Sequence, residues 1–189
     1  LDPHEKVAGM GIKRLKDSGC KITLGVLESA CREHHKLFLT FHEKKRPYII
    51  LKWAETSDGF IAPEKEKRNS DPQPFWITNS YSRQLVHKWR SEEQAILVGT
   101  NTVLEDNPKL DIRKWVGKNP LRVVLDKDLK IPHDFHVLNG NIDTLILTEI
   151  APTNKQQKAN DYEILDFSDN LAEQISAVLF NKNINSLII

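Results

Sequence analysis

The sequence predicts an α/β fold built on a mainly parallel sheet flanked by helices. Apolar runs of strand length recur at Tyr48–Ala54, Ala95–Val98, Leu121–Asp126, Thr144–Thr148 and Ser186–Ile189. Stretches with helical spacing, or long connections, separate these runs instead of two-residue turns. Parallel neighbours need such crossovers, and ligands of parallel sheets bind beyond the carboxyl ends of the strands.

Taken in order, Val7 to Ser18 reads as a short amphipathic helix stopped by Gly19. Cys20 to Val26 alternates as a strand does, and Glu28 to about His42 carries Ala30, Cys31, His34, Leu37, Phe38 and Phe41 at helical spacing. The charged run Glu43 to Arg46 followed by Pro47 marks a boundary between units. Tyr48–Ala54 is a strand interrupted by Lys52, and Glu55–Gly59 is a turn. Pro63–Pro74, polar and aperiodic, reads as a loop or lid. Thr78, Asn79 or Ser80 caps a helix over Tyr81–Glu92, whose inward face is expected to hold Tyr81, Leu85, Val86 and Trp89. Arg83, His87 and Arg90 form a row on its other face, and for Arg83 and His87 a solvated surface is the expectation.

The central stretch is Ala95 to Arg113. Four apolar residues end at Gly99, and Thr100, Asn101 and Thr102 open a short helical turn of the kind that receives anions. Asp106 stands two residues before Pro108, which favours extended or turn backbone and a side chain facing a pocket. Further on, a polar connection leads to a helix over Ser168–Asn181 with Leu171, Ile175, Val178 and Leu179 inward, and to a closing strand.

The 189 residues carry 27 basic and 26 acidic side chains, so no bulk field draws nucleic acid or an anionic membrane. A local site for a small ligand is the better expectation. Two cysteines, Cys20 and Cys31, make no disulfide framework, and a cytoplasmic setting is expected in the absence of a signal-peptide pattern or a membrane-length apolar run. The chain reads as a piece of a longer protein.

Gly9-Met10-Gly11 lacks the third glycine and the preceding strand of a dinucleotide fingerprint, since Arg14 stands where that glycine belongs. Cys20, Cys31, His34 and His35 have no metal-ligand spacing and are read as buried or half-buried helix residues, so no metal is expected. What remains is dispersed: Lys52 and Ala54 at one strand end, Trp76 after the loop, Arg90 on a helix, Thr102 and Asp106 after another strand, and Arg113 beyond a proline. Strand ends with two arginines suit a phosphorylated small molecule, because guanidinium forks match phosphate oxygens. Spacing alone names no reaction.

Several segments occur together in order: Arg46-Pro47-Tyr48-x-x-x-Lys52-x-Ala54-x-x-x-Asp58-Gly59, Trp76-Ile77-Thr78, His87-x-x-Arg90, Ala95-Ile96-Leu97-Val98-Gly99-x-x-Thr102-Val103-Leu104-x-Asp106-x-Pro108-x-Leu110-x-x-Arg113 and Pro120-Leu121-Arg122-Val123-Val124-Leu125-Asp126. This series resembles the reductase domain of the bifunctional riboflavin-biosynthesis deaminase/reductase. Upstream, Val7-Ala8-Gly9-x-Gly11-Ile12-x-x-Leu15 and Gly25-Val26-Leu27-Glu28-x-x-Cys31 resemble the end of the same enzyme's deaminase domain.

The resemblance implies a dihydrofolate-reductase-like fold over 46–189, preceded over 1–45 by the C-terminal piece of a cytidine-deaminase-like α/β domain. It implies NADPH-dependent reduction of the ribosyl group of 5-amino-6-(5-phosphoribosylamino)uracil to ribityl, with Ala54, Trp76, Thr102 and Asp106 at NADPH and Arg90, Leu110 and Arg113 at the substrate. Lys52 is expected to touch the ribose, steady negative charge or supply a proton, and with Asp106 forms the expected catalytic pair. The family's Glu-Gly-Gly loop for the cofactor diphosphate is expected just past Ile189, and the zinc of the deaminase half before Leu1. Pro74 replaces a family serine that contacts substrate, and Lys127 stands where a serine or threonine often follows the strand-ending aspartate. The expected partner is a phosphorylated ribosylaminopyrimidine, with a homo-oligomer compatible and neither nucleic acid nor membrane expected. The competing readings are a stand-alone pteridine or folate-type reductase and a non-catalytic nucleotide-binding domain.

Overall fold

The structure, a computed structural model, describes residues 2–4, 6–7, 9–64, 72–153 and 160–189. Three helices come first, α1 (Met10–Asp17), α2 (Glu28–His34) and α3 (Lys36–Lys44), then strand β1 (Tyr48–Ile50) and helix α4 (Ser80–Glu92). Strand β2 (Ala95–Gly99) runs directly into α5 (Thr100–Asp106), and β3 (Leu121–Leu125), a 3-10 turn (His136–Leu138) and β4 (Thr144–Thr148) follow. The chain continues with β5 (Asp161–Ile164), α6 (Leu171–Asn181) and β6 (Ser186–Ile188).

Among the described residues all five strand pairings are parallel, in the order β1-β6-β2-β3-β4-β5. From β2 to β5 each strand lies beside the last. Helix α6 then carries the chain back across the sheet, and β6 slots between β1 and β2. At such a reversal the helices leave in opposite directions, so a crevice opens over the carboxyl ends of the strands.

The apolar runs form strands here because both faces of the sheet are covered. Ala95 and Leu97 of β2 join Val123, Leu145, Leu147 and Leu187 on one face, against Leu171, Ile175, Val178 and Leu179 of α6. Ile96, Val124 and Ile188 point the other way and pack with Val103 of α5, Leu110, Ile131 and Val137. Leu179 is wholly buried, and truncating such a leucine to alanine costs about 2–5 kcal/mol. Asn79 caps α4 by accepting from the Ser82 amide at 2.9 Å, and Asn170 caps α6 by accepting from the Glu173 amide at 3.4 Å.

Several expectations change. Cys20–Val26 is not a strand: it alternates, but among the described residues no strand pairs with it, and alternation without a partner does not make a sheet. The helix read over Glu28–His42 is two helices, broken at His35. Cys20, Cys31, His34 and His35 are exposed, as is Ala30, because α1 and α2 lie away from both sheet cores. The first helix begins at Met10 and not Val7. Strand β1 stops at Ile50, although the Lys52 amide still donates to the Ile189 carbonyl at 2.8 Å. The polar edge strand β5 had no apolar signal, and α6 starts at Leu171 instead of Ser168. Asp106 ends helix α5 instead of lying in extended backbone; the turn comes one residue later, at Asn107 with φ 39°. Residues 65–71 of the lid read over Pro63–Pro74 lie outside the described residues. No helix among the described residues is long and apolar enough to cross a membrane.

Candidate active site

A cleft of about 680 Å³ opens where β1, β6 and β2 end. Pairing that continues past β1, through Ile189 amide to Ile50 carbonyl at 2.9 Å and Lys52 amide to Ile189 carbonyl at 2.8 Å, brings Lys52 and Ala54 to its rim. The glycine at the end of β2 leaves its floor open, and α5 sets Thr102 and Asp106 one turn apart on the face that lines it. Helix α4 contributes Arg90, the connection after α5 contributes Leu110 and Arg113, and the segment before α4 contributes Trp76. Every one of the dispersed residues singled out from sequence, Lys52 to Arg113, therefore lines one cavity.

The helix α4 is turned differently from the expectation. Its polar row Arg83, His87 and Arg90 faces the cleft, and His87 is 4% exposed instead of solvated. Arg83 also turns inward: its guanidinium lies 4.6 Å from the Trp76 ring centre and its Nη1 donates to the Thr78 carbonyl at 3.0 Å. Conversely Tyr81, Leu85 and Trp89, expected inside, are exposed. A helix at the edge of a cleft presents to the sheet the side chains that the cleft uses, and hydrophobic spacing is a poor guide to that face.

Positive charge gathers around one carboxylate. Arg113 is ion-paired with Asp111, and Arg90 Nη1 donates to the Asp111 carbonyl at 3.1 Å. Burial pushes the Arg90 pKa down to about 10, with the Arg113 charge adding to the fall and Asp111 opposing it. At neutral pH it remains a cation. Its buried Nε has no partner among the described residues, which is the state of a donor waiting for an acceptor. Burial first, and then the Arg90 charge, lower the pKa of Lys52. The cluster thus carries an excess of cation over anion in a partly desolvated pocket, the setting that holds a phosphate.

Other contributors carried no pattern of their own in the sequence. Asn107 takes the left-handed turn after α5 and accepts the His136 amide on its Oδ1 at 2.8 Å; both residues line the cleft. Arg122, 2% exposed, donates to the His136 carbonyl at 3.0 Å from the middle of the sheet. Thr100, read as open to an anion, instead donates its hydroxyl to the Leu125 carbonyl at 2.6 Å. Pro74 lies in the cleft wall, where a serine hydroxyl would offer a hydrogen bond and the ring offers none. Among the described residues no three metal-ligating side chains converge.

The residues present suit a nicotinamide dinucleotide: Trp76 offers a half-exposed ring face, Ala54 a small side chain that admits a flat ring, and Thr102 an exposed hydroxyl.

Comparison with known proteins agrees with this geometry. Residues 47–189 match the family described as RibD C-terminal domain. The riboflavin biosynthesis protein RibD of Aquifex aeolicus is 39% identical over 154 residues, covering 81% of this chain and 39% of its own length. The RibD of Synechocystis sp. is 38% identical over 150 residues, covering 79% of this chain and 39% of its own. Among solved structures, the diaminohydroxyphosphoribosylaminopyrimidine deaminase/5-amino-6-(5-phosphoribosylamino)uracil reductase of Thermotoga maritima superposes with a TM-score of 0.79 at 33% identity, over 97% of this chain and 50% of that one. RibD of Acinetobacter baumannii has the same fold, with a TM-score of 0.79 at 24% identity over 100% of this chain and 52% of that one. The chain spans well under half the length of these curated relatives. With its parallel dihydrofolate-reductase-like sheet and most of its length matched, the chain belongs to the RibD C-terminal domain family.

Proposed function

We propose that this chain supplies the NADPH-dependent reductase unit of a riboflavin-biosynthesis deaminase/reductase. Its substrate is 5-amino-6-(5-phosphoribosylamino)uracil, whose ribosyl group is reduced to ribityl. Residues 46–189 form this unit, and 1–45 are the C-terminal piece of a deaminase domain whose zinc site belongs to an upstream part of the whole protein. The long match of the Thermotoga maritima enzyme, over 97% of the chain, supports that division.

One observation carries the reading: Lys52, Trp76, Arg90, Asp106 and Arg113, far apart in sequence, share one cleft beside a cationic cluster. Ala54, Trp76, Thr102 and Asp106 face NADPH, and Arg90, Leu110 and Arg113 hold the substrate, the two guanidinium groups taking its phosphate. Bound NADPH supplies the hydride, which adds to the sugar C1 once the ring has opened to an imine. Lys52 carries the proton that the imine nitrogen gains, and its lowered pKa makes it a readier donor than an ordinary ammonium.

The test is steady-state NADPH oxidation by the full-length protein with the deaminated ribosylaminouracil phosphate and, in parallel, with dihydrofolate. Turnover of the pyrimidine alone is expected, and turnover of dihydrofolate alone would mark a folate-type reductase. Arg90→Ala should raise the substrate KM by roughly 100-fold, the scale of removing one hydrogen bond to a charged group. An unchanged KM removes Arg90 from the site, and absence of NADPH binding by calorimetry makes the domain non-catalytic.

A further inference from the structure

The connection that brings Leu110 and Arg113 to the cleft is held in an unfavourable shape. Leu110 is 3% exposed and sits at φ 52°, in the left-handed region where a Cβ crowds the backbone. Such a residue stays put only when its surroundings force it. The next residue shows what does the forcing. The carbonyl of Asp111 accepts from His87 Nδ1 at 2.8 Å and from Arg90 Nη1 at 3.1 Å, both from helix α4, while the Ile112 amide donates to Asn119 Oδ1 at 3.0 Å. Because a carbonyl can only accept, His87 Nδ1 carries the hydrogen, and the imidazole is held in that tautomer.

The two donors are not equivalent. Arg90 lines the cleft itself and is read as a substrate contact, so its hold on Asp111 competes with its hold on the substrate. His87 is buried, and its Nδ1 is committed to the carbonyl. We propose that His87 is a positioning residue, which through the Asp111 carbonyl fixes the Leu110–Arg113 backbone and so aims Arg113 at the substrate phosphate. This rests on the reading that Arg90, Leu110 and Arg113 form the substrate subsite. It predicts that the imidazole serves as a hydrogen-bond donor at one point and that any side chain placing an N–H there will do.

The experiment compares His87→Asn, whose amide nitrogen falls near the place of Nδ1, with His87→Leu, of similar bulk but no donor, in the full-length protein, beside Arg113→Ala. KM for the ribosylaminouracil phosphate, KM for NADPH and kcat are measured for each. His87→Leu should raise the substrate KM about tenfold, the scale of one buried hydrogen bond left unmade. KM for NADPH should stay within about twofold, and His87→Asn should recover the substrate KM to within about threefold. Equal KM values for the Asn and Leu variants, or a shift shared with NADPH, overturn the proposal while leaving the subsite reading intact. Should His87→Leu not fold, His87→Gln, whose amide lies one bond further out, takes its place and must be worse than His87→Asn. If Arg113→Ala leaves the substrate KM unchanged, the subsite reading fails and the positioning role with it.

Discussion

Arg83 lies over the face of Trp76, its guanidinium carbon 4.6 Å from the ring centre, and anchors itself by donating to the Thr78 carbonyl at 3.0 Å. Helix α4 thereby holds a ring that is otherwise 54% exposed on the segment leading into it. A cation over an exposed indole is worth about 0.5–1 kcal/mol. Arg83→Ala should therefore raise KM for NADPH by roughly threefold and leave the pyrimidine KM nearly unchanged, as initial rates at varied NADPH will show.

Gly117 closes the connection after Arg113 against helix α4. It has φ 147°, and a Cβ added there would lie 2.8 Å from Ser91 Cβ. Gly117→Ala must push the connection off the helix, and about 1–3 kcal/mol of stability should be lost in urea unfolding. The displaced segment carries Arg113, so the substrate KM should rise in the same variant.

Burial, and then the charges of Arg90 and Arg113, depress the pKa of His87 below its usual 6.5, against the pull of the Asp111 carbonyl and carboxylate. Well above 6.5 both folded and unfolded chains are neutral at this position, and no linkage arises. As pH falls below that value the unfolded chain takes up a proton that the folded chain refuses, so stability drops until the folded pKa is passed. Urea midpoints measured at about pH 7.5 and about pH 5.5 should differ less in His87→Asn than in the wild type.

Lys52 works in the opposite direction on stability and activity. Its folded pKa is depressed by burial and by Arg90, so below that pKa holding the ammonium in place costs stability. Lys52→Met should raise Tm and lower kcat by roughly 100-fold, as expected when a proton donor is removed. A variant with unchanged kcat would take Lys52 out of the chemistry.

The sheet core was legible because burial on both faces writes itself as unbroken apolar runs. Thr144–Thr148 matches its strand residue for residue, and Ala95–Val98 and Leu121–Asp126 are right to within one residue. Lys52, a lysine interrupting a strand, and Asp106, a carboxylate before a proline, stood out in the sequence, and the dispersed set already suggested a phosphate pocket. The roles within it came through family resemblance, since Trp76 and Arg90 taken singly read as ordinary aromatic and polar positions. Asp161–Ile164 escaped because an edge strand needs only backbone pairing, here to Leu145–Thr148, and leaves its side chains free to be polar. Cys20–Val26 misled for the converse reason: its alternation meets no pairing strand among the described residues.

The amino-acid pattern by itself determined the parallel sheet, its two apolar faces and the strand ends where a ligand would sit, because periodicity records burial by local spacing. Only the tertiary structure decided that His87 turns inward, that Leu110 is held at positive φ, and that Asp111 collects contacts from His87, Arg90 and Arg113. These depend on the placing of α4 against a connection about twenty residues away in the chain. Local spacing holds no record of such a distance.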